Sequence, residues 1–354
     1  GMDSSNVFAG CLTEHVERTL AFLAEIVRTP TFPAEEFEKL RKQVLTGLTV
    51  SNAEPSYLAD RELRRRLYGE HPYARIAVGE IEDVQALKVE DLPAWWQANS
   101  RPDDAVLLIA GDVEPTQVLK LVEATLGDWK GAGPAPQATV PPPPPPADTR
   151  IYLVDMPGVQ AQIRIGQLGI TRQHPGYFTS RVVSEYFGGA FKSRLNKKIR
   201  IEKGLTYGAG GGYSASRFLG QFRASTFSKI PSTAEALQIL LDEAQRLQAE
   251  PPDAQELGDT KAHILGSFAS ERETPGQVAG QLWNLELHGL APDWYEKLLA
   301  GVSHTEPGDC ARLACETLDP SKLVIVVVGP AAQLKEDLAK IAPVTVVERA
   351  VSRE

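Results

Sequence analysis

Apolar residues recur at helical spacing in the first third of the chain. The segments TLAFLAEIVRTP (19–30) and AEEFEKLRKQVLTGL (34–48) place them three or four positions apart, which predicts two amphipathic helices separated by the breaker PTFP. The run DAVLLIAGDV (104–113) is short and apolar and ends near a glycine, which predicts a buried strand. This part of the chain therefore combines helices with a strand.

The second half shows the same mixture with more strands. We predict strands near 151–156 and 160–169, a helix from about residue 175, and a hairpin across TYGAGGGYSASRFLGQFRASTFS (206–228). The run KLVIVVVGPA (322–331) predicts a further buried strand, like that at 104–113. Helices beside antiparallel strands indicate an α+β fold.

The pattern also indicates a duplicated module. A shift of 220 residues matches Glu36 with Glu256 and Pro55 with Pro275, among other identities, and a shift of 218 matches Gly111 with Gly329. The strands and helix of 151–232 would have their counterparts before residue 12, so the first copy lacks almost all of its first half. The fold class predicted is α+β: a duplicated module of antiparallel sheet with packed helices, the first copy incomplete.

The two copies are separated by a proline tract. The segment GAGPAPQATVPPPPPPADT (131–149) contains six consecutive prolines, which favour an extended polyproline helix and act as a semi-rigid spacer. A ligand for a proline-recognising module is the alternative. The predicted domains are 6–130 (later half of a first module), 131–149 (linker) and 150–350 (complete second module).

Composition excludes several classes of partner. A net charge of -9 and a pI of about 5.4 disfavour nucleic acid or an anionic membrane as the main partner, because phosphate binding needs a cationic surface. The basic run RELRRRLYG (61–69) has helical spacing and is interpreted as a solvated helix face. No apolar run approaches the roughly 20 residues of a membrane span, and the N-terminus lacks the regions of a signal peptide.

The three cysteines, Cys11, Cys310 and Cys315, show no C-x-x-C spacing. They form neither a disulfide framework nor a zinc ribbon, and we interpret them as buried free thiols.

Four segments carry a resemblance to a known family. RTPTFPAEEFEKLRKQVL, EHPYAR and PDDAVLLIAGDVEP resemble the later half of a first module, and YFGGAFKSRLNKKIRIEKGLTYGAGGGY resembles the opening half of a second. Together they cover almost the whole chain and resemble the pitrilysin/insulinase family of zinc peptidases, particularly its bacterial two-module members. The resemblance implies paired bowl-shaped halves that enclose a peptide.

The zinc site that the family implies is missing from this sequence. Active members carry H-x-x-E-H on a helix of module one and a distal Glu: the histidines and the distal carboxylate bind zinc, and the Glu between the histidines activates water. The histidines here are 15, 71, 174, 263, 288 and 304, and none forms that motif. Matching the distal helix to the family pattern places Gly47 at the ligand position and Leu40 at a supporting Glu. We therefore expect a catalytically degenerate protein with no cofactor, although active members hold zinc.

Two isolated histidines have ordinary interpretations. His15 lies near Glu14 and Glu17, but no second histidine follows at i+4, so we interpret it as a polar helix-start residue. His71, in GEHPYAR, is expected to cap or pack a turn.

The positive site assignment is Arg200 and Tyr207, in RIEKGLTY. By resemblance they are the second-module pair that holds substrate backbone, and both side chains donate hydrogen bonds where negative charge develops. We expect Lys203-Gly204 to end a helix before Tyr207 begins a strand, so that the turn brings the pair together. The structural alternative places Arg200 in a salt bridge and Tyr207 in the core.

The glycines 208 and 210–212 do not make a phosphate loop, because no G-K-[S/T] follows and the run precedes a strand. A glycine-rich hairpin is expected instead.

The leading hypothesis is a non-catalytic homologue that binds peptide or unfolded polypeptide, or that pairs with a homologous peptidase subunit or with itself. One alternative is a fragment of an active zinc peptidase whose H-x-x-E-H lies upstream or on a partner chain. Another is a structural interaction module. The compartment stays open between the bacterial cytoplasm and, if a signal was removed, the periplasm.

Overall fold

The computed structural model describes residues 1–131, 142–143 and 146–348. The predicted linker, 131–149, lies mostly outside the described residues. The chain forms two compact units. One, the helical unit, comprises Gly1–Val50, Ala77–Thr139 and Glu271–Gly289; the other, the sheet unit, comprises Ser51–Ile76, Val140–Ser270 and Leu290–Glu354.

The helices, in chain order, are α1 (Val16–Arg28), α2 (Ala34–Ala53), α3 (Pro55–Tyr68), α4 (Ile81–Ala86), α5 (Asp91–Asn99), α6 (Pro115–Leu126), α7 (Tyr177–Ser184), α8 (Thr233–Ala249), α9 (Ala254–Ser270), α10 (Pro275–His288), α11 (Trp294–His304), α12 (Pro307–Thr317) and α13 (Ala331–Leu338). Short π-helical segments follow α7 at Glu185–Gly189 and lie at Asn196–Glu202. The strands are β1 (Arg150–Asp155), β2 (Gln160–Gly169), β3 (Ala209–Ser214), β4 (Gly220–Lys229), β5 (Val324–Gly329) and β6 (Val344–Val347).

The sheet unit contains one six-stranded sheet in the order β3-β4-β2-β5-β1-β6. The strands predicted near 151–156, 160–169 and 322–331 and the hairpin across 206–228 are confirmed as β1, β2, β5 and β3-β4. The α+β class is confirmed, but the sheet is mixed and not wholly antiparallel, since β5 and β6 both run parallel to β1. Strand β5 separates β1 from β2, although these two follow each other in the sequence.

Successive side chains of the central strands point to opposite faces of the sheet, and both faces are buried. Ile325 and Val327 of β5 lie beside Ile165 and Ile163 of β2 in the register, and all four side chains are fully buried. Helix α8 packs against β2 and β4. On β5 the alternate residues, with Val326 at the centre, pack in a cluster with α3 side chains.

Helix α3 belongs to the sheet unit although it comes early in the chain. Leu58, Leu63 and Leu67 project onto β5, while Asp60 accepts a hydrogen bond from the Arg164 Nε of β2 at 2.8 Å. Helix α10, from the second half, belongs to the helical unit. The compact units therefore do not follow the chain order, and the predicted division at 6–130, 131–149 and 150–350 stays a proposal.

The helical unit packs α1 against α6. Arg28 Nη1 donates to the Thr125 carbonyl oxygen at 2.7 Å, and Trp96 Nε1 donates to the Val27 carbonyl oxygen at 3.1 Å. The described apolar side chains buried in this unit are few and short of a full core: Leu20, Ala24, Leu48 and Val118.

The strand predicted at 104–113 is wrong. These residues form the end of a 3-10 turn followed by irregular backbone, and Val106 and Leu107 are exposed. In β5 the corresponding run is held between β1 and β2, whereas the described residues provide 104–113 with no partner strand. An apolar sequence alone does not make a strand, because the ladder of hydrogen bonds needs a neighbour.

Helix ends repeat between the proposed copies. Pro55 and Pro275 each stand at the first position of a helix, and Gly69 and Gly289 follow the two helices with φ values of 52° and 59°. The third predicted pair differs, because Gly111 lies in irregular backbone and Gly329 ends β5. Spatial superposition of the copies stays a prediction.

The cysteine prediction holds for one thiol of three. Cys310 is buried, but Cys11 and Cys315 are exposed, and all three are free. Within the described residues, no helix is long and apolar enough to cross a bilayer.

Candidate functional site

The candidate site is a helix, turn and strand that span residues 191–214 of the sheet unit. A turn at 191–193 leads into helical backbone that ends with the π-helical segment at Glu202. Gly204 then adopts a φ of +63°, a left-handed conformation that glycine reaches without strain. The predicted helix end at Lys203-Gly204 is confirmed, while β3 begins at Ala209, two residues after Tyr207.

Arg200 lies in the helical segment before this turn, and Tyr207 follows the turn in the sequence. The Arg200 guanidinium stands over the Phe191 ring, 4.7 Å from its centroid, and among the described residues it makes no ion pair. Tyr207 is 82% exposed, so the alternative that placed it in the core is wrong, as is the salt bridge expected for Arg200. Convergence of the two side chains on one ligand group stays a prediction.

Phe191 is a site residue that sequence reasoning missed. Its side chain is 62% exposed and therefore does not contribute to the core. A guanidinium over an aromatic face gains about 0.5–1 kcal/mol at an exposed position, and the contact restricts the Arg200 side chain. The nine-residue spacing between Phe191 and Arg200 matches neither helix nor strand periodicity, so no local pattern indicated this contact.

An ion pair between Arg194 and Glu256 attaches the segment 191–214 to α9. Arg194 Nε and Nη2 donate to the Glu256 carboxylate at 3.0 Å and 2.6 Å, and Arg194 Nη1 donates to the Glu250 carbonyl oxygen at 3.0 Å. The Arg194 side chain is 7% exposed and stacks on the Tyr186 ring at 4.8 Å. The forked donors thus fix the beginning of the helical segment to α9.

Strand β3 is tied to the same segment. Asn196 Oδ1 accepts from the Ala209 N–H at 3.1 Å, and Ser184 Oγ accepts from the Tyr213 N–H at 2.9 Å, so side chains satisfy edge groups of the strand. A Cβ on Gly188 would come within 2.2 Å of the Gly211 backbone nitrogen. The glycine-rich hairpin is therefore confirmed, and close approach of backbone explains Gly188 and Gly211.

Ionisable groups beneath the site are held neutral. Burial raises the pKa of the Cys310 thiol to about 12, and burial also raises the pKa of the Tyr213 phenol to about 12. Burial raises the pKa of Tyr186 well above its usual range as well. These three groups are therefore neutral near neutral pH.

The residues present do not fit the zinc of active pitrilysin-like peptidases. Gly47 lies inside α2 with open space around its Cβ position and offers no ligand, and Leu40 on the same helix is 58% exposed. His15 stands directly before α1, as predicted. Among the described residues no three His, Cys, Asp or Glu side chains lie together as a metal cluster.

His71 has the turn role predicted for it. Its Nδ1 accepts from the Tyr73 N–H at 3.1 Å, and its ring packs against Tyr73 at 4.8 Å between centroids.

Comparison with known proteins gives the family. The profile described as "Peptidase M16 inactive domain" matches residues 86–264, about half of the chain, and the profile "Insulinase (Peptidase family M16)" matches residues 2–80. The chain belongs to peptidase family M16. The predicted resemblance to the pitrilysin/insulinase family is therefore confirmed.

Individual M16 proteins resemble the chain at low identity. The "Non-peptidase homolog YmxG" of Helicobacter pylori is 25% identical over 292 residues, which cover 81% of this chain and 66% of that protein. The "Probable mitochondrial-processing peptidase subunit beta" of Schizosaccharomyces pombe is 26% identical over 186 residues, or 51% of this chain and 40% of that one. The chain thus spans less than two thirds of these relatives.

A solved M16 structure has the same fold. The "peptidase M16 inactive domain" from Pseudomonas fluorescens superposes with a TM-score of 0.83 and 25% identity, covering 90% of this chain and 76% of that one.

Proposed function

We propose that this chain is a non-catalytic M16 homologue whose sheet unit binds extended polypeptide at Arg200 and Tyr207. The proposal rests on the exposure of the Tyr207 hydroxyl group and on the position of the Arg200 guanidinium. Tyr207 is 82% exposed beside a left-handed turn, and the Phe191 ring holds the Arg200 guanidinium, which forms no ion pair among the described residues. A guanidinium and a phenol so placed can donate to a peptide carbonyl oxygen without first breaking an internal ion pair.

The absence of catalysis is proposed from the residues at the zinc position. Gly47 replaces a carboxylate, and the six histidines of the chain provide no H-x-x-E-H. Metal analysis of the purified chain should find no stoichiometric zinc, and peptide substrates should remain intact. One tightly held zinc per chain together with chelator-sensitive hydrolysis would support instead the alternative of an active peptidase fragment.

Peptide binding is tested by fluorescence anisotropy with a labelled, neutral extended peptide. Arg200→Ala and Tyr207→Phe should each weaken binding by about 1–3 kcal/mol, roughly 5- to 150-fold, because each removes one hydrogen bond that an exposed carbonyl receives. Arg217→Ala is the matched control, since Arg217 also stacks on a neighbouring exposed ring, that of Phe218, at 5.2 Å. The free energy of unfolding should fall by no more than about 1 kcal/mol in each of the three variants, the amount a lost guanidinium–ring contact can cost. Lower stability with unchanged binding would show that the pair is structural.

A partner role is the second candidate, and the helical unit favours it. The unit exposes Phe22 and Ile26 of α1 and Leu119 of α6. Its apolar run at 105–110 also has no partner strand in the described residues. Exposed apolar surface of this kind is typical of an interface. Light scattering after size exclusion should find self-association that Leu107→Lys and Leu119→Lys abolish, and a strictly monomeric chain would contradict pairing with itself.

A further inference from the structure

Charge is distributed unevenly around the candidate site. The segment 191–203 carries six cationic residues and one anionic residue, whereas the whole chain has a net charge of -9. Several of these cations already have partners. Lys198 pairs with Glu202 at 2.9 Å, Lys203 pairs with Glu235 at 2.8 Å, and Arg194 pairs with Glu256 at 2.6 Å.

Three cations of the segment form no ion pair among the described residues: Lys192, Lys197 and Arg200. Of these, Lys197 lies near Glu202, and the pKa of that carboxyl is lowered by its hydrogen bond with Lys198 and, to a lesser extent, by the charge of Lys197. Lys192 and Lys197 are exposed. Glu202 of the segment and Glu235 of α8 already pair with Lys198 and Lys203, so neither forms an ion pair with these three cations. The segment is therefore locally positive, although the chain as a whole has a net charge of -9.

The same segment and the turn that follows it also carry exposed apolar side chains. Phe191, Tyr207 and Ile201 are 62%, 82% and 59% exposed, and the Arg200 guanidinium covers one face of the Phe191 ring. We propose that this surface, defined by Phe191, Lys192, Lys197, Arg200 and Tyr207, selects acidic extended peptide segments. The inference rests on the peptide binding proposed above and specifies the class of peptide.

An acidic peptide fits better than the other ligands that a basic surface attracts. Nucleic acid would bring many phosphates against a chain of net charge -9, which repels a polyanion beyond the few residues of this surface. A short peptide brings two or three carboxylates, which can pair with Lys192, Lys197 and Arg200. Its backbone can accept hydrogen bonds from Arg200 and the Tyr207 hydroxyl, while Phe191 acts on the peptide only through the Arg200 guanidinium that its ring holds.

Phe191 acts as a positioning residue in this arrangement. Its ring holds the Arg200 guanidinium at 4.7 Å and so limits the rotamers from which Arg200 can donate. Phe191→Ala should weaken binding of an acidic peptide about two- to fivefold. The loss should disappear in an Arg200→Ala background and should be restored by Phe191→Tyr, results that a purely structural role of Phe191 would not produce.

The test compares labelled peptides that differ only in charge: alternating Glu and Thr, the same peptide with Gln in place of Glu, and the same with Lys. The Glu peptide should bind most tightly and the Lys peptide least, with the difference shrinking as salt rises from 0.1 M to about 1 M, where the Debye length falls to about 3 Å. Lys192→Gln and Lys197→Gln should each weaken the Glu peptide about two- to fivefold and leave the Gln peptide unchanged. Lys335→Gln, at an exposed position on α13 of the same unit, is the matched control and should have no effect.

The outcomes separate this inference from the proposed function. Equal binding of the Glu and Gln peptides would overturn the acidic selectivity while peptide binding stands. If none of the peptides bound, both proposals would fail. Displacement of the Glu peptide by a single-stranded RNA of equal length at lower concentration would assign the surface to nucleic acid and overturn the inference.

Discussion

Removing the half-buried Glu256 of α9 should destabilise the sheet unit strongly. Its carboxylate accepts from Arg194 at 3.0 Å and 2.6 Å, and the Arg194 side chain is only 7% exposed. Glu256→Ala leaves that guanidinium buried with the Glu250 carbonyl oxygen and the Tyr186 ring as its remaining partners. An unpaired buried charge costs several kcal/mol, because water cannot replace the lost carboxylate.

The magnitude follows from burial. Breaking a fully buried pair costs about 3–5 kcal/mol, and because the Glu256 side chain is 28% exposed, we expect the lower end, about 3 kcal/mol. For a unit of this size each kcal/mol lowers Tm by about 2–4 °C, so Glu256→Ala should lower Tm by roughly 6–12 °C. Glu256→Gln keeps an acceptor for Arg194 and should lose less.

The assay is urea denaturation followed by circular dichroism, supported by thermal melts. Asp337→Ala is the control, since the Lys340–Asp337 pair has side chains that are 68% and 62% exposed and should contribute at most about 1 kcal/mol. The double replacement Arg194→Met/Glu256→Leu should recover much of the loss, because neither charge remains to be buried. If Glu256→Ala cost no more than Asp337→Ala, or if the double replacement were worse than Glu256→Ala, the argument from an unpaired charge would be refuted.

Two further predictions concern alkaline stability and close packing. Burial raises the folded-state pKa of Cys310 and of Tyr213 to about 12, whereas their ordinary values are 9.0 and 10.0. Above these ordinary values the unfolded chain loses protons that the folded chain keeps. Stability is therefore unaffected by these groups below pH 9 and falls as pH rises toward 12. The free energy of unfolding, measured by urea titration, should fall by about 1.4 kcal/mol per pH unit for each group above its ordinary pKa, and Cys310→Ala should move the onset from about pH 9 to about pH 10. Gly188→Ala should destabilise by about 1–3 kcal/mol, because its Cβ would meet the Gly211 backbone nitrogen, whereas Gly266→Ala, with open space at Cβ on α9, should stabilise slightly in the same melts. A melting temperature for Gly188→Ala equal to that of the unchanged chain would disprove the close approach.

The sequence by itself determined those helix starts and helix ends that depend only on a proline or glycine within the same few residues. Helix starts at Pro55 and Pro275 and the left-handed glycines 69 and 289 follow from proline and glycine geometry, which acts within a few residues. The end of the helix at Lys203-Gly204 is equally local and was predicted from the sequence. The assignment of the missing zinc carboxylate to Gly47 stays a prediction.

Tertiary structure decided what depends on distant partners. The runs at 104–113 and 322–331 have similar composition, but only β5 lies between two strands, and only it is a strand. Phe191 became part of the candidate site because a turn brings its ring under Arg200, and Arg194 became an anchor because Glu256 meets it from α9, 62 residues away. Hydrogen-bond ladders, ion pairs and ring contacts form between residues whose separation in sequence carries no period, so their partners are fixed only when the chain is folded.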